Sequence, residues 1–78
     1  MTFEGMMLKI IELGFFPKSE MFYFGLVLEE STKKKVLQYS PEEVGEFLKW
    51  TINEINNGSV ETVDTLMNKV MNGNINKQ

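Results

Sequence analysis

The side chains in this sequence that could do chemistry fall into three groups. The first is a lysine triplet, Lys33-Lys34-Lys35, a few residues after the aromatic run Phe22-Tyr23-Phe24. Aromatic platforms flanked by positive charge bind single-stranded nucleic acid by stacking and phosphate contact. The second is Trp50, with Glu43, Glu46 and Glu54 as its neighbours at helical spacing. An aromatic side chain inside an acidic rim has the composition of a protein-binding hot spot. The third is the cluster Glu42, Glu43 and Glu46, hard oxygen donors of the kind that Mg²⁺ and Ca²⁺ take.

Each group has a plainer explanation. Three lysines at a turn form a solvated loop tip. The clustered glutamates follow Ser40-Pro41, where capping and the helix dipole account for them. They lack EF-hand spacing, and Asp64 is the only aspartate in the chain.

What is missing narrows the chemistry further. The chain has no His, no Cys and no Arg, which removes imidazole acid–base catalysis, thiolate chemistry and bidentate anion clamps. Ser19, Ser31, Ser40 and Ser59 all fall at turns or caps, where serine is expected for backbone reasons. No G-x-S-x-G elbow and no Gly-rich phosphate loop is present. We therefore assign no catalytic, cofactor-binding or metal-ligating residue, and expect a non-enzyme without cofactor or small-molecule substrate.

The elements that must position the remaining candidates follow from periodicity. Phe3, Met6, Met7, Ile10 and Ile11 share one face of a helix over Phe3–Leu13, with Thr2 as its cap and Gly14 as its stop. The same segment also reads as an apolar strand over residues 7–16. Met21–Glu29 is rich in aromatic and branched residues bounded by polar turns, which predicts a strand. Phe22, Phe24, Leu26 and Leu28 would then face one side and Met21, Tyr23 and Val27 the other. Neither side is polar, so both would need cover. Val36–Tyr39 is the expected second strand, with Glu29 and Glu30 opposite Lys34 and Lys35 across the hairpin. Phe24-Gly25-Leu26-Val27 echoes the centre of the RNA-recognition-motif strand signature. Phe22 and Tyr23 stand where that signature has a basic residue and Gly, and Glu29 replaces its last aromatic.

Ser40-Pro41-Glu42-Glu43 marks a capped helix that runs to about residue 57 and stops at Gly58. Ser59 is the expected cap of a last helix over 60–71, and 74–78 the expected frayed tail. On the helix from Pro41, Val44, Phe47, Leu48, Ile52 and Ile55 form the apolar face. Trp50 falls more than about 120° from the centre of that face. The sequence thus predicts a small α+β domain over 1–78, in the order α-β-β-α-α.

The 78 residues carry a net charge of −3, too mild for non-specific phosphate binding. The longest apolar run, Met21 through Leu28, is far below the roughly 20 residues of a membrane helix. The N-terminus has no basic region of the secretory type, so a cytoplasmic protein is expected. Abundant Lys, Asn, Ile and Glu, with no Ala, fits a low-GC bacterium or its phages and mobile elements.

A chain this short sits near the limit at which one core suffices, which makes a protein partner or a homodimer a physical expectation. The function that follows is a small inhibitor, regulator or adaptor that binds a larger protein. Its candidate interface is Trp50, Glu43, Glu46, Glu54, Met21, Tyr23 and Val27. The alternatives are a nucleic-acid-binding regulator using Lys33, Lys34 and Lys35, and a self-associating structural subunit.

Overall fold

Ser40 begins the longest element of the structure by the chemistry its sequence announces. Its Oγ accepts from the Glu43 N–H at 3.1 Å, while its own N–H donates to Glu43 Oε1 at 2.9 Å. Pro41 occupies the first helical position, where a missing N–H costs nothing. The computed structural model describes residues 1–73. Its elements are α1 (Phe3–Glu12), α2 (Lys18–Val27), α3 (Glu30–Val36), α4 (Pro41–Asn56) and α5 (Val63–Met71). The expected tail at 74–78 lies outside the described residues.

The described residues contain no strand, so the chain is all-α and not α+β. The expected strand Met21–Glu29 is largely α2, the expected loop before Val36 is α3, and the expected second strand Val36–Tyr39 is the last residue of α3 and the turn that follows it. In α2 the buried positions Met21 and Phe24, continued by Leu28, follow helical and not alternating spacing. Because the segment is apolar on every side, a period of two and a period of 3.6 both find an apolar face in it. In α3 the buried residues are Thr32 and Val36, one turn apart. Lys33, Lys34 and Lys35 fill the last turn of α3, where the helix dipole favours cations, and not a hairpin tip.

The other elements match the sequence closely. Thr2 caps α1 by accepting from the Gly5 N–H at 3.0 Å, and residues 7–12 are helical. The last helix starts at Val63, three residues later than expected. Ser59 Oγ accepts from the Glu61 N–H in a local turn, and Thr62 is the cap instead, accepting from the Thr65 N–H at 3.1 Å.

One backbone turn sets the layout. Gly14, at φ 85°, ends α1 in the left-handed conformation that glycine adopts without strain. The Gly14 N–H then donates to Ile11 O at 3.0 Å and the Phe15 N–H to Ile10 O at 3.3 Å, the two bonds of a Schellman motif. This turn throws Phe15 onto α4. There a Cβ added to the buried Gly45 would stand 2.6 Å from Phe15 Cδ2, inside contact distance. Lys49, one turn further along α4, places its ammonium 5.7 Å from the centre of the same ring. Beside it, Phe16 meets Phe24 of α2 edge to face at 5.2 Å.

The core gathers Met6 and Ile10 of α1, Met21 and Phe24 of α2, Val36 of α3, Val44 and Leu48 of α4, and the inner face of α5. α4 packs most extensively on α5 and α1. A polar seam ties α3 to α5. Asn68 Nδ2 donates to the buried Thr32 Oγ1 at 2.9 Å, Lys35 Nζ donates to Asn68 Oδ1 at 2.7 Å, and the Glu29 N–H donates to Asp64 Oδ1 at 2.8 Å. Tyr39 stacks edge to face on Phe47, and its hydroxyl donates to Met71 O, satisfying a carbonyl at the end of α5.

Two pairs of substitutions test this packing by the sign of their effect on thermal unfolding. Gly45→Ala gains helix propensity but drives a methyl into the Phe15 ring, and should destabilise by about 1–3 kcal/mol. Gly25→Ala points its methyl at Met7 and Phe3 at 3.6–3.8 Å, an ordinary contact, and should stabilise by about 0.5–1 kcal/mol. The buried Thr51 hydroxyl has no hydrogen-bond partner, so Thr51→Val should stabilise by about 1 kcal/mol. Thr32→Val deletes the acceptor of Asn68 and should destabilise by a similar amount. Equal signs within either pair would contradict the contacts described.

Candidate interaction surface

α2 is where the apolar inventory exceeds what the core can take. Lys18, Ser19 and Glu20 open the helix, and Met21-Phe22-Tyr23-Phe24-Gly25-Leu26-Val27 completes it. A helix apolar around its whole circumference is normally enclosed. This one lies at the surface, with Phe22 67 % exposed, Leu26 69 % and Tyr23 49 %. Phe22 and Leu26, one turn apart, form a ridge.

The ridge has an apolar furrow on its α1 side. One half runs between Met7, Leu8 and Ile11 of α1 and Lys18, Met21 and Phe22 of α2. The other continues past Phe22 toward Phe3, Gly25, Leu26 and Lys33. Glu4 and Met7 line both halves. On the opposite flank of α2, a second depression collects Tyr23, Val27, Ile55 and Val63, with Glu61 and Thr62 at its edge.

The structure brings Tyr23 and Val27 together on that second flank, as a pair at the surface. Met21 points the other way and is 2 % exposed, inside the core. Trp50 lies on α4, half-buried and packed against the core cluster. Of its acidic neighbours, Glu43 is occupied by the capping box, Glu46 is exposed and Glu54 half-buried. Trp50 and Tyr23 therefore do not share one face with Met21.

The lysine triplet is dispersed by the helix that carries it. Lys33 lies 5.3 Å over the Phe3 ring and 3.5 Å from Glu30 Oε2. Lys34 and Lys35 are both exposed, and the Lys35 ammonium donates to Asn68 Oδ1. Phe24, the last residue of the aromatic run, is fully buried and cannot serve as a stacking platform. Ser31 and Lys34 have the S-x-x-K spacing of some serine nucleophiles, but both are exposed on α3 and no hydrogen bond joins them. Among the described residues no three acidic side chains converge on a metal-sized site, and no helix is long and apolar enough to cross a membrane.

Phe22, Leu26, Leu8 and Met7 are the surface residues that sequence reasoning left out. The signal for them was present as a segment apolar on both sides; read as a helix, that pattern leaves Phe22 and Leu26 without cover. For Trp50 the placement has a direct consequence. Trp50→Ala should lower unfolding stability by about 2 kcal/mol, measured by denaturant titration. A variant as stable as the parent would show that the indole contributes little to the core. Comparison with known proteins finds no matching family model, no matching curated protein and no matching solved structure.

Proposed function

We propose that this chain is a non-catalytic protein-interaction module, a small inhibitor, regulator or adaptor that acts in the cytoplasm by docking on a larger protein. The observation that carries this reading is the exposed side of α2. Phe22, Tyr23 and Leu26 stand in solvent on a helix with no polar face, in a molecule whose total surface is 4925 Å². Contiguous apolar surface of this kind marks interaction sites more often than it decorates an isolated monomer. The furrow and the Tyr23 depression are lined mainly by apolar side chains, which offer contact area and shape. Steric occlusion of the partner, or locking of one of its conformations, is the mechanism such a surface supports.

The test is capture by the tagged chain from a lysate of a low-GC bacterium, with nuclease present, followed by measured affinity for the protein recovered. Tyr23→Ala and Leu26→Ala should each weaken binding, with about 2 kcal/mol lost at whichever is the central anchor. Both side chains are exposed, so the variants should keep the helical circular dichroism of the parent. Affinity unmoved by either change would rule out α2 as the docking surface. Capture that vanishes with nuclease would transfer the assignment to nucleic acid.

A further inference from the structure

Asparagine precedes glycine at two helix ends of this chain, Asn57-Gly58 after α4 and Asn72-Gly73 after α5. Glycine gives its own backbone nitrogen the least steric cover, so in this pair that nitrogen most readily attacks the preceding side-chain amide. The glycine nitrogen loses its proton and bonds to the carboxamide carbon, and the side-chain nitrogen leaves as ammonia. The succinimide ring so formed then takes up water. Opening at the side-chain carbonyl gives aspartate. Opening at the backbone carbonyl gives isoaspartate, in which the main chain runs through the side-chain carbons. The sum is asparagine plus water to aspartate or isoaspartate plus ammonia, with no oxidant consumed.

The fold restrains the nucleophile of the first pair. Asn57 is the C-cap of α4 at φ −93° and ψ 12°, and Gly58 follows it in the left-handed region at φ 101°. The Gly58 N–H donates to Ile55 O at 3.0 Å and the Ser59 N–H to Glu54 O at 2.9 Å, the two bonds of a Schellman turn. The proton that Gly58 must lose is therefore the one bonded inside the turn. Asn57 and Gly58 are both exposed to water, yet attack waits for the turn to open.

The two pairs differ in what meets the new charge. A carboxylate at position 57 stands at the negative end of the α4 dipole, one turn from Glu54, and the last turn of α4 holds no cation. A carboxylate at position 72 ends α5 one turn after Lys69, a favourable spacing for opposite charges. The segment after Asn57 also joins α4 to α5, which pack on each other more extensively than any other two helices. It connects Ile55 on one wall of the Tyr23 depression to Glu61, Thr62 and Val63 on the other. Isoaspartate at 57 lengthens the main chain within the turn, so the Gly58 and Ser59 bonds cannot both close in their present register.

We propose that Asn57 is a modification site of this chain, converted to aspartate and isoaspartate at a rate set by opening of the α4 Schellman turn. Conversion is one-way and loosens the junction of α4 and α5, which makes the turn a clock for the age of the molecule. Conversion of Asn72 leaves the fold as stable as before.

Peptide mapping by mass spectrometry of the full chain, incubated at physiological temperature with and without urea, tests this. Position 57 should pass from amide to acid, in both aspartate and isoaspartate forms, severalfold more slowly in the native chain than in urea. The slowing should match the hydrogen-exchange protection of the Gly58 amide. Asn57→Asp should lower the unfolding midpoint by about 2–5 °C, and Asn72→Asp should move it by less than about 1 °C. The isoaspartate fraction, resolved by ion exchange, should melt below Asn57→Asp. An aged sample of Asn57→Gln should melt as its fresh sample does. No acid at position 57 even in urea would remove the site, and a native rate equal to that in urea would remove the control by the turn. Equal midpoints for Asn57→Asp and Asn72→Asp, or an isoaspartate fraction as stable as the parent, would overturn the loosening of the junction.

Discussion

The seat of Phe15 on Gly45 is the constraint on which the rest of the molecule depends. A left-handed glycine ends α1 and returns the chain across α4 at a point where α4 has no side chain. The ring fills that gap at contact distance, which brings α1 and α4 together and fixes the point from which α2 departs. Phe16, the next residue, then holds Phe24 and with it the rotation of α2 about its own axis. With α1 and α5 also packed on α2, this sets which residues of α2 are inside. Met21, Phe24 and Leu28 are taken into the core, and Phe22 and Leu26 are left over.

That remainder is a matter of geometry more than of composition. A helix can present only part of its circumference to a core it borders from one side, and α2 is apolar over all of it. Longer proteins enclose such a helix with further layers. This chain uses α4 and α5 to cover α1 and the inner side of α2, and its remaining short helix, α3, is held on α5 largely through polar groups. The exposed ridge and the small size of the domain are therefore one property seen twice.

What the sequence made legible follows the side-chain caps. The helices starting at Thr2 and Ser40 were readable because their first turns are satisfied by neighbours in sequence. α5 was readable as a helix but displaced at its start, because Ser59 and Thr62 are both credible caps and the Ser59 hydroxyl is used in a turn. The two helices mistaken for strand and loop, α2 and α3, are the two without a side-chain capping bond: Pro17 and Glu29 stand at their caps. Their helicity is decided by what packs on them, such as Phe16 on Phe24 and Asn68 on Thr32, and a partner 36 residues away, as Asn68 is from Thr32, leaves no local pattern. The same blindness reached the candidate surface. Tyr23 and Val27 were found because they are apolar in either geometry, whereas Met21 changes from surface to core when strand becomes helix.

The seam between α3 and α5 has a kinetic meaning. A helix of seven residues has no stability of its own in water, so the amide protons of α3 are protected only while Val36 stays in the core and Asn68, Asp64 and Lys35 keep their bonds. α3 is then the segment that opens first, exchanging its hydrogens through local excursions that leave α4 and α5 closed. Each excursion carries Lys33 off Phe3 and out of the lining of the furrow. The Lys33 edge of the apolar furrow therefore belongs to the least durable element of the fold. Its availability to any partner is set by how often α3 breathes.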